Sequence, residues 1–236
     1  MQLCPVCGWE DAPGHHPYNG SNEISLVQGQ RRFLTHGACE AHLHSTVREP
    51  LPAEARSSHW KSFDELREMI IKAIEKEFHN VSRDGGTTLH QMDLVDGGWP
   101  MTEKSMKDAA SKDPELRWQD IPPGKLSLFS DSLCFLDDLG FRFYLPAFMR
   151  HALITASPDI DQTEIDGIIW SLDRGPDCDF RRDCYAWLTS DQKQATAAFV
   201  HLFATSGNDY QAPYAQKGRK RGWDQWTPEF VRLSTT

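Results

Sequence analysis

Two cysteines spaced as CxxC, Cys4 and Cys7 in "CPVCGWED", are the first residues in the chain able to do chemistry. Deprotonated, two such thiolates match the bite of tetrahedral zinc, and Pro5 stiffens the turn between them. A structural zinc takes four ligands, and "CEAHLH" offers the remainder. There Cys39 and His42 form a CxxH pair, with His44 beside them and His15 and His16 as alternative imidazoles. The expected metal set is therefore Cys4, Cys7, Cys39 and His42, with zinc as the implied cofactor. The competing reading has the same thiols reduced, metal-free and packed.

Carboxylates are the second chemical resource. "SPDIDQTEID" and "DRGPDCDFRRD" carry Asp159, Asp161, Asp173, Asp177, Asp179 and Asp183. Clustered carboxylates bind divalent ions or move protons. Arg174, Arg181 and Arg182 are interleaved with the second set, so these stretches read as loops with surface ion pairs. As exposed acidic loops, Asp159, Asp161, Asp173, Asp177 and Asp179 are the expected contacts for a partner. The Gly-rich segment near Asp93–Trp99 is a third expected contact region. No GxxxxGK, GxGxxG, HExxH or GxSxG occurs, so the common phosphate-cradling, zinc-hydrolase and serine-hydrolase motifs are absent and no catalytic residue is assigned. Arg142 is expected in a buried ion pair, Tyr144 in the core, and Cys134, Cys178 and Cys184 as packed thiols.

These residues must be positioned by helices. Ser25 with Gln28 opens a helix in "ISLVQGQRRFLTHG", and Gly37 ends it. Ser62 with Glu65 forms a capping box before "FDELREMIIKAIEKEF", where Leu66, Ile70, Ala73, Ile74 and Phe78 share one face. "MTEKSMKDAASKD" reads as a short exposed helix. A further helix is expected from Leu145, with Pro146 in its first turn, where a missing N–H costs little. Thr189 with Gln192 caps another, which Gly207 terminates. "REPLPAEARSSHW" has two prolines and no periodicity, and reads as a linker. The expected architecture is mainly α with short β elements. A small cysteine-containing module occupies residues 1–58, and a larger, mostly helical domain occupies 59–236.

"CPVCGWED", an Asn/Gly-rich turn before "SL", an arginine-bearing helix, "GACE" and then "VREP" follow in order between Cys4 and Pro50. This succession resembles the cysteine-rich CPCC family of small bacterial domains. The chain departs from that pattern in lacking the CPCC knot that opens typical members, which would leave a family-type cluster half missing. From Phe63 to Phe203, "RWQDIPPGKL", "SDSLCFLDDLGFRFYLPAFMRHAL" and "WLTSDQKQATAAFVHLF" resemble a second bacterial family, one of unassigned function. The resemblances imply architecture and no catalytic mechanism.

The chain has 236 residues, 39% hydrophobic, with eight tryptophans, which is enough for a substantial core. No apolar run reaches the roughly 18 residues of a membrane span, and the start has neither a basic nor an apolar stretch, so a cytoplasmic protein is expected. The net charge of −9 disfavours nonspecific binding to nucleic acid. The basic run "KGRKRGW" reads as a solvated segment. The leading expectation is a protein-binding inhibitor, an immunity protein or antitoxin whose partner is a toxin encoded nearby. A zinc-knuckle adaptor touching nucleic acid through Lys217–Arg221 and an unrecognised enzyme are the alternatives.

Overall fold

A computed structural model describes residues 3–10, 24–155, 163–177, 182–206 and 211–234. Helix α1 (Leu26–His36) is capped as its sequence requires: Ser25 Oγ accepts the Gln28 N–H, and Gly37 adopts a left-handed φ of 79°. Helix α2 (Phe63–Glu77) carries the reciprocal Ser62–Glu65 capping box and buries Phe63, Leu66, Ile70 and Ile74. Helices α3 (Leu89–Asp96) and α4 (Glu103–Ala110) pack against each other across the connection 97–102, and the short α5 (Pro123–Leu128) follows.

The centre of the molecule is α6 (Asp138–Thr155), which buries twelve of its eighteen residues. Helices α7 (Thr163–Leu172) and α8 (Arg182–Ala186) lead to α9 (Ser190–Ser206), which buries eleven of seventeen. Helices this apolar on all sides must lie inside, and α2 packs against both of them. Helix α10 (Gln211–Gly218) lies along α9 and α7. A kink at Arg221 and Gly222, the glycine at φ 122°, leads into the short α11 (Asp224–Trp226) and α12 (Glu229–Ser234), which pack over α9. Trp223 is wholly buried there; its Nε1 donates to Leu172 O at 3.0 Å and its ring meets Tyr185 edge-on. The fold is mainly helical, and β structure among the described residues is one antiparallel bridge, Leu3 to Glu10.

Pro146 corrects one expectation. Helix α6 begins at Asp138, so the proline sits in its interior and not in its first turn. An interior proline costs about 3 kcal/mol, the reason a sequence reading puts it at a helix start. Phe141, Phe143, Tyr144, Leu145 and Phe148, all at most 1% exposed, flank it. Burying each such side chain contributes about 1.5–3 kcal/mol, so packing outweighs the lost hydrogen bond. Tyr144 fills the core as expected. Arg142 does not form the expected ion pair among the described residues, and its buried Nε has no hydrogen-bond partner.

The last turn of α2 is completed by distant side chains. Trp118 Nε1 donates to Phe78 O at 2.8 Å, Gln119 Nε2 to His79 O at 3.2 Å, and Gln192 Nε2 to Glu77 O at 3.0 Å. At its other end α2 receives the cysteine module. Arg31 on α1 grips Asp64 with two bonds of 2.7 and 2.8 Å, the Phe63 N–H donates to Gln30 Oε1, and Val27 joins the main core. Residues 48–59 cross between these parts fully on the surface.

Candidate functional site

The thiols meet through backbone geometry. Gly8 N–H donates to Cys4 O and Cys4 N–H to Trp9 O, each at 2.8 Å, which folds the CPVC segment into a closed turn. Cys39 N–H donates to Cys7 O at 2.8 Å, bringing the second cysteine segment against the first. Burial disfavours the Cys4 thiolate, but hydrogen bonds from the Cys7 and Val6 backbones and the Cys7 side chain outweigh it and hold Cys4 below the ordinary thiol range. Burial, aided by the neighbouring Cys4 and Cys39 thiols, pushes Cys7 up to about 11. Burial and then Glu40 raise Cys39.

Three soft donors are thus neighbours, and their type suits zinc. Their arrangement falls short of a formed site: among the described residues no group of three or more His, Cys, Asp or Glu side chains is placed to hold a metal. His42 is 70% exposed and turns its Nδ1 to Glu40 at 3.4 Å, away from the ligand role its spacing predicts. His15 and His16 lie outside the described residues.

The acidic residues divide differently from their sequence pattern. Asp173, expected on an exposed loop, is buried; it pairs with Lys217 at 3.0 Å and lies 3.8 Å from Arg221. Asp177 is exposed and accepts from Gln225 at 3.3 Å. Asp159, Asp161 and Asp179 lie outside the described residues. The basic run is drawn inward with Asp173. Arg219 pairs with Asp224 at 2.6 Å, which leaves Lys220 as the run's one cation without an ion pair among the described residues.

The Gly-rich segment forms the α3–α4 turn. Trp99 N–H donates to Leu94 O at 3.0 Å and Gly98 N–H to Val95 O at 3.2 Å, with Gly98 at φ 66°. This is a Schellman motif, which needs its left-handed residue and favours glycine there. Three residues on, Thr102 caps α4 by accepting the Ser105 N–H at 3.1 Å. Both ends of the turn are therefore fixed. It presents Trp99 at 64% exposure and Met101 at 65%, with Val95 beside them and Asp93, Asp96 and Glu103 exposed around them. The Trp99 indole lies against Gly97, where a Cβ would sit 2.6 Å from its Cδ1.

Sequence reasoning missed a polar cluster at the start of α3 and just past the end of α4. Asp113 is wholly buried and accepts from His90 N at 2.9 Å, with His90 Nδ1 at 2.9 Å and Lys125 Nζ at 3.0 Å. Lys125 also holds Glu115 at 2.6 Å. Arg83 donates to the Asp113 carbonyl at 2.9 Å and reaches the Tyr144 hydroxyl at 3.4 Å. No single motif links these residues, because the segment before α3, α3, the stretch after α4, α5 and α6 each supply part of the cluster.

Residues 1–54 match the family model described as Cysteine-rich CPCC, and residues 66–229 match that of a Family of unknown function (DUF6714). The second match runs past α9 and the basic run, farther than the sequence resemblance reached. No curated protein and no solved structure matches the chain. With most of its length covered by the second match, this chain belongs to the Family of unknown function (DUF6714), carrying a cysteine-rich CPCC segment ahead of that domain.

Proposed function

We propose that this protein is a protein-binding inhibitor, an immunity protein or antitoxin that neutralises a toxin encoded nearby. The observation that carries the reading is the α3–α4 turn. An exposed tryptophan and methionine on one rigid turn are a poor choice for a surface that meets only water. They suit the centre of an interface, where aromatic anchors supply most of the binding energy. A turn fixed at both ends loses little entropy on docking.

Asp93, Asp96 and Glu103 surround these anchors, and the chain as a whole carries −9, so the fitting partner is basic. Nucleases and other toxins that handle anionic substrates have that character, and opposite charge speeds their capture. Exposed Asp177 could extend the contact; buried Asp173 is withdrawn from it. The nucleic-acid alternative draws less support, since three of the four cations from Lys217 to Arg221 face intramolecular carboxylates.

Co-expression of this chain with the product of the adjacent gene tests the proposal. Rescue of growth, with a complex whose association slows as salt is added, supports it. Persistent toxicity despite good expression of this chain, or an adjacent product that is not toxic, overturns it. Zinc is proposed separately as a structural ion of the cysteine module, held after side-chain rotation by Cys4, Cys7, Cys39 and one imidazole, His42 or His44.

A further inference from the structure

The cleft between α1 and the N-terminal end of α2 has a volume of about 590 Å³ and is lined by Arg31, Leu34, Arg56, Ser57, Trp60 and Asp64, among others. That volume is in the range of small-molecule sites. The geometry points to a binding site here for a small organic oxyanion, a carboxylate or phosphate monoester carrying an apolar group. The site is independent of the inhibitor reading, since it shares no residue with the α3–α4 turn.

Arg56 is the recognition element. Its guanidinium lies 4.7 Å from the Trp60 ring centroid and 5.8 Å from that of Phe33. Ring contacts engage a guanidinium through its face, whereas oxyanions engage the N–H groups along its edge. Among the described residues no ion pair or hydrogen bond occupies that edge. The stacking has already restricted the side chain, so a ligand need not order a free arginine.

The nearby carboxylates have other tasks. Asp64 is held by both bonds from Arg31, with Arg67 at 3.4 Å. Glu65 lies within electrostatic reach of Arg56, but its Oε2 accepts from the Ser62 N–H at 2.8 Å and the Ser62 hydroxyl at 2.9 Å. Arg31 and Arg56 balance Asp64 and Glu65 in the lining, which makes the cleft neutral on a chain of net charge −9. The fifteen-residue helix α2 adds the positive end of its dipole. Leu34, 46% exposed, and Trp60 provide the apolar wall. An anionic head on the Arg56 edge and an apolar body on Leu34 and Trp60 satisfy each surface in kind.

The test uses three fragments of one shape: phenylacetate, phenyl phosphate and the neutral phenylacetamide. Each is titrated into the full chain while the Trp60 indole N–H and Arg56 Nε–H resonances are followed by NMR. At least one oxyanion should shift both resonances saturably, and the amide should bind about tenfold more weakly or worse. The tighter of the two oxyanions identifies the head group. Arg56→Gln should bring the oxyanion down to the level of the amide, with the rest of the spectrum unchanged because Arg56 is on the surface. Equal binding of acid and amide, shifts confined to other residues, or an unaltered affinity in Arg56→Gln would overturn the assignment.

Discussion

Asp113 and Lys125 form an ion pair of 3.0 Å whose carboxylate has no exposure to solvent. Burial alone raises the Asp113 pKa, but hydrogen bonds from the His90 N–H, the His90 ring, Lys125 and Thr88 outweigh it and hold the group below its ordinary value. The carboxylate thereby ties α3, the segment after α4 and α5 to one another. It is a structural knot where α3 begins and the chain leaves α4.

Removing one member of such a buried group strands the others. Asp113→Ala leaves Lys125 paired with Glu115 alone and the His90 N–H without its acceptor. The expected loss is about 3–5 kcal/mol of unfolding free energy, read from urea denaturation of the variant beside the wild type. A loss under about 1 kcal/mol would mean that the cluster relaxes into solvent.

His201 on α9 makes stability depend on pH. It is 4% exposed, and burial followed by Arg219 and Arg232, partly opposed by Asp224, lowers its pKa to about 4 from an ordinary 6.5. Between those values the unfolded chain binds more protons than the folded one, so stability falls as pH falls through this window. The contribution lost by about pH 5 is about 2 kcal/mol. His201→Leu cannot titrate and should lack that loss, which denaturation curves at neutral and mildly acid pH will resolve. Parallel pH profiles for the two proteins would assign the slope to other groups.

Trp99→Ala should leave stability within about 0.5 kcal/mol, since the ring is mostly in water. Affinity for the inhibited partner should fall by about 2 kcal/mol, roughly thirtyfold. Gly97→Ala offers a subtler version. Its Cβ would displace the Trp99 indole and crowd the Asp93 carbonyl at 3.0 Å, at a φ of −71° that any residue adopts. Calorimetry should find weakened binding for both variants with nearly unchanged melting. Unaffected binding in both would exclude the turn from the interface.

Limited proteolysis should cut first within residues 49–59, where every residue is exposed. Arg56 is the one Lys or Arg within that stretch and so its tryptic site, cut once its side chain leaves the Trp60 and Phe33 rings. Mass spectrometry of the early fragments checks this. Protection of the whole stretch would mean that module and helical domain behave as one unit.

If the module takes up zinc, elemental analysis of purified protein should find about one ion per chain, lost in Cys4→Ser. Loss in His42→Ala would make that imidazole the fourth ligand, and retention would leave the place to His44. Metal-free protein that is folded and stable would leave the three thiols as packing groups.

Helix ends were the most legible part of the sequence, because their signals are local. The Ser25, Ser62 and Thr189 caps each accept the N–H three residues on, at 3.2 to 3.3 Å. Pro146 was misread because the burial of Phe141, Phe143, Tyr144, Leu145 and Phe148 that outweighs its cost is set by the tertiary packing of α6. Asp173 was misread for a related reason. Its neighbours Arg174 and Asp177 are exposed, whereas the residues that bury and pair it, Lys217 and Arg221, come more than forty positions later. The CxxC turn was legible from spacing, but whether an imidazole turns toward it depends on Glu40, which competes for His42. The His90–Asp113–Lys125 cluster left no local trace.

The anchoring of α2 by Trp118, Gln119 and Gln192 has a consequence for how the chain is made. A ribosome delivers α2 long before Gln192, and until then the Glu77 carbonyl lacks its native donor. Helix α2 can nucleate early on its own capping box, but its C-terminal turn and its apolar stripe are finished only when α9 arrives. A chain stopped before α9 should therefore leave the α2 stripe open to other chains. Synthesis of α9, more than the capping of the first helices, sets when the nascent protein becomes safe from aggregation.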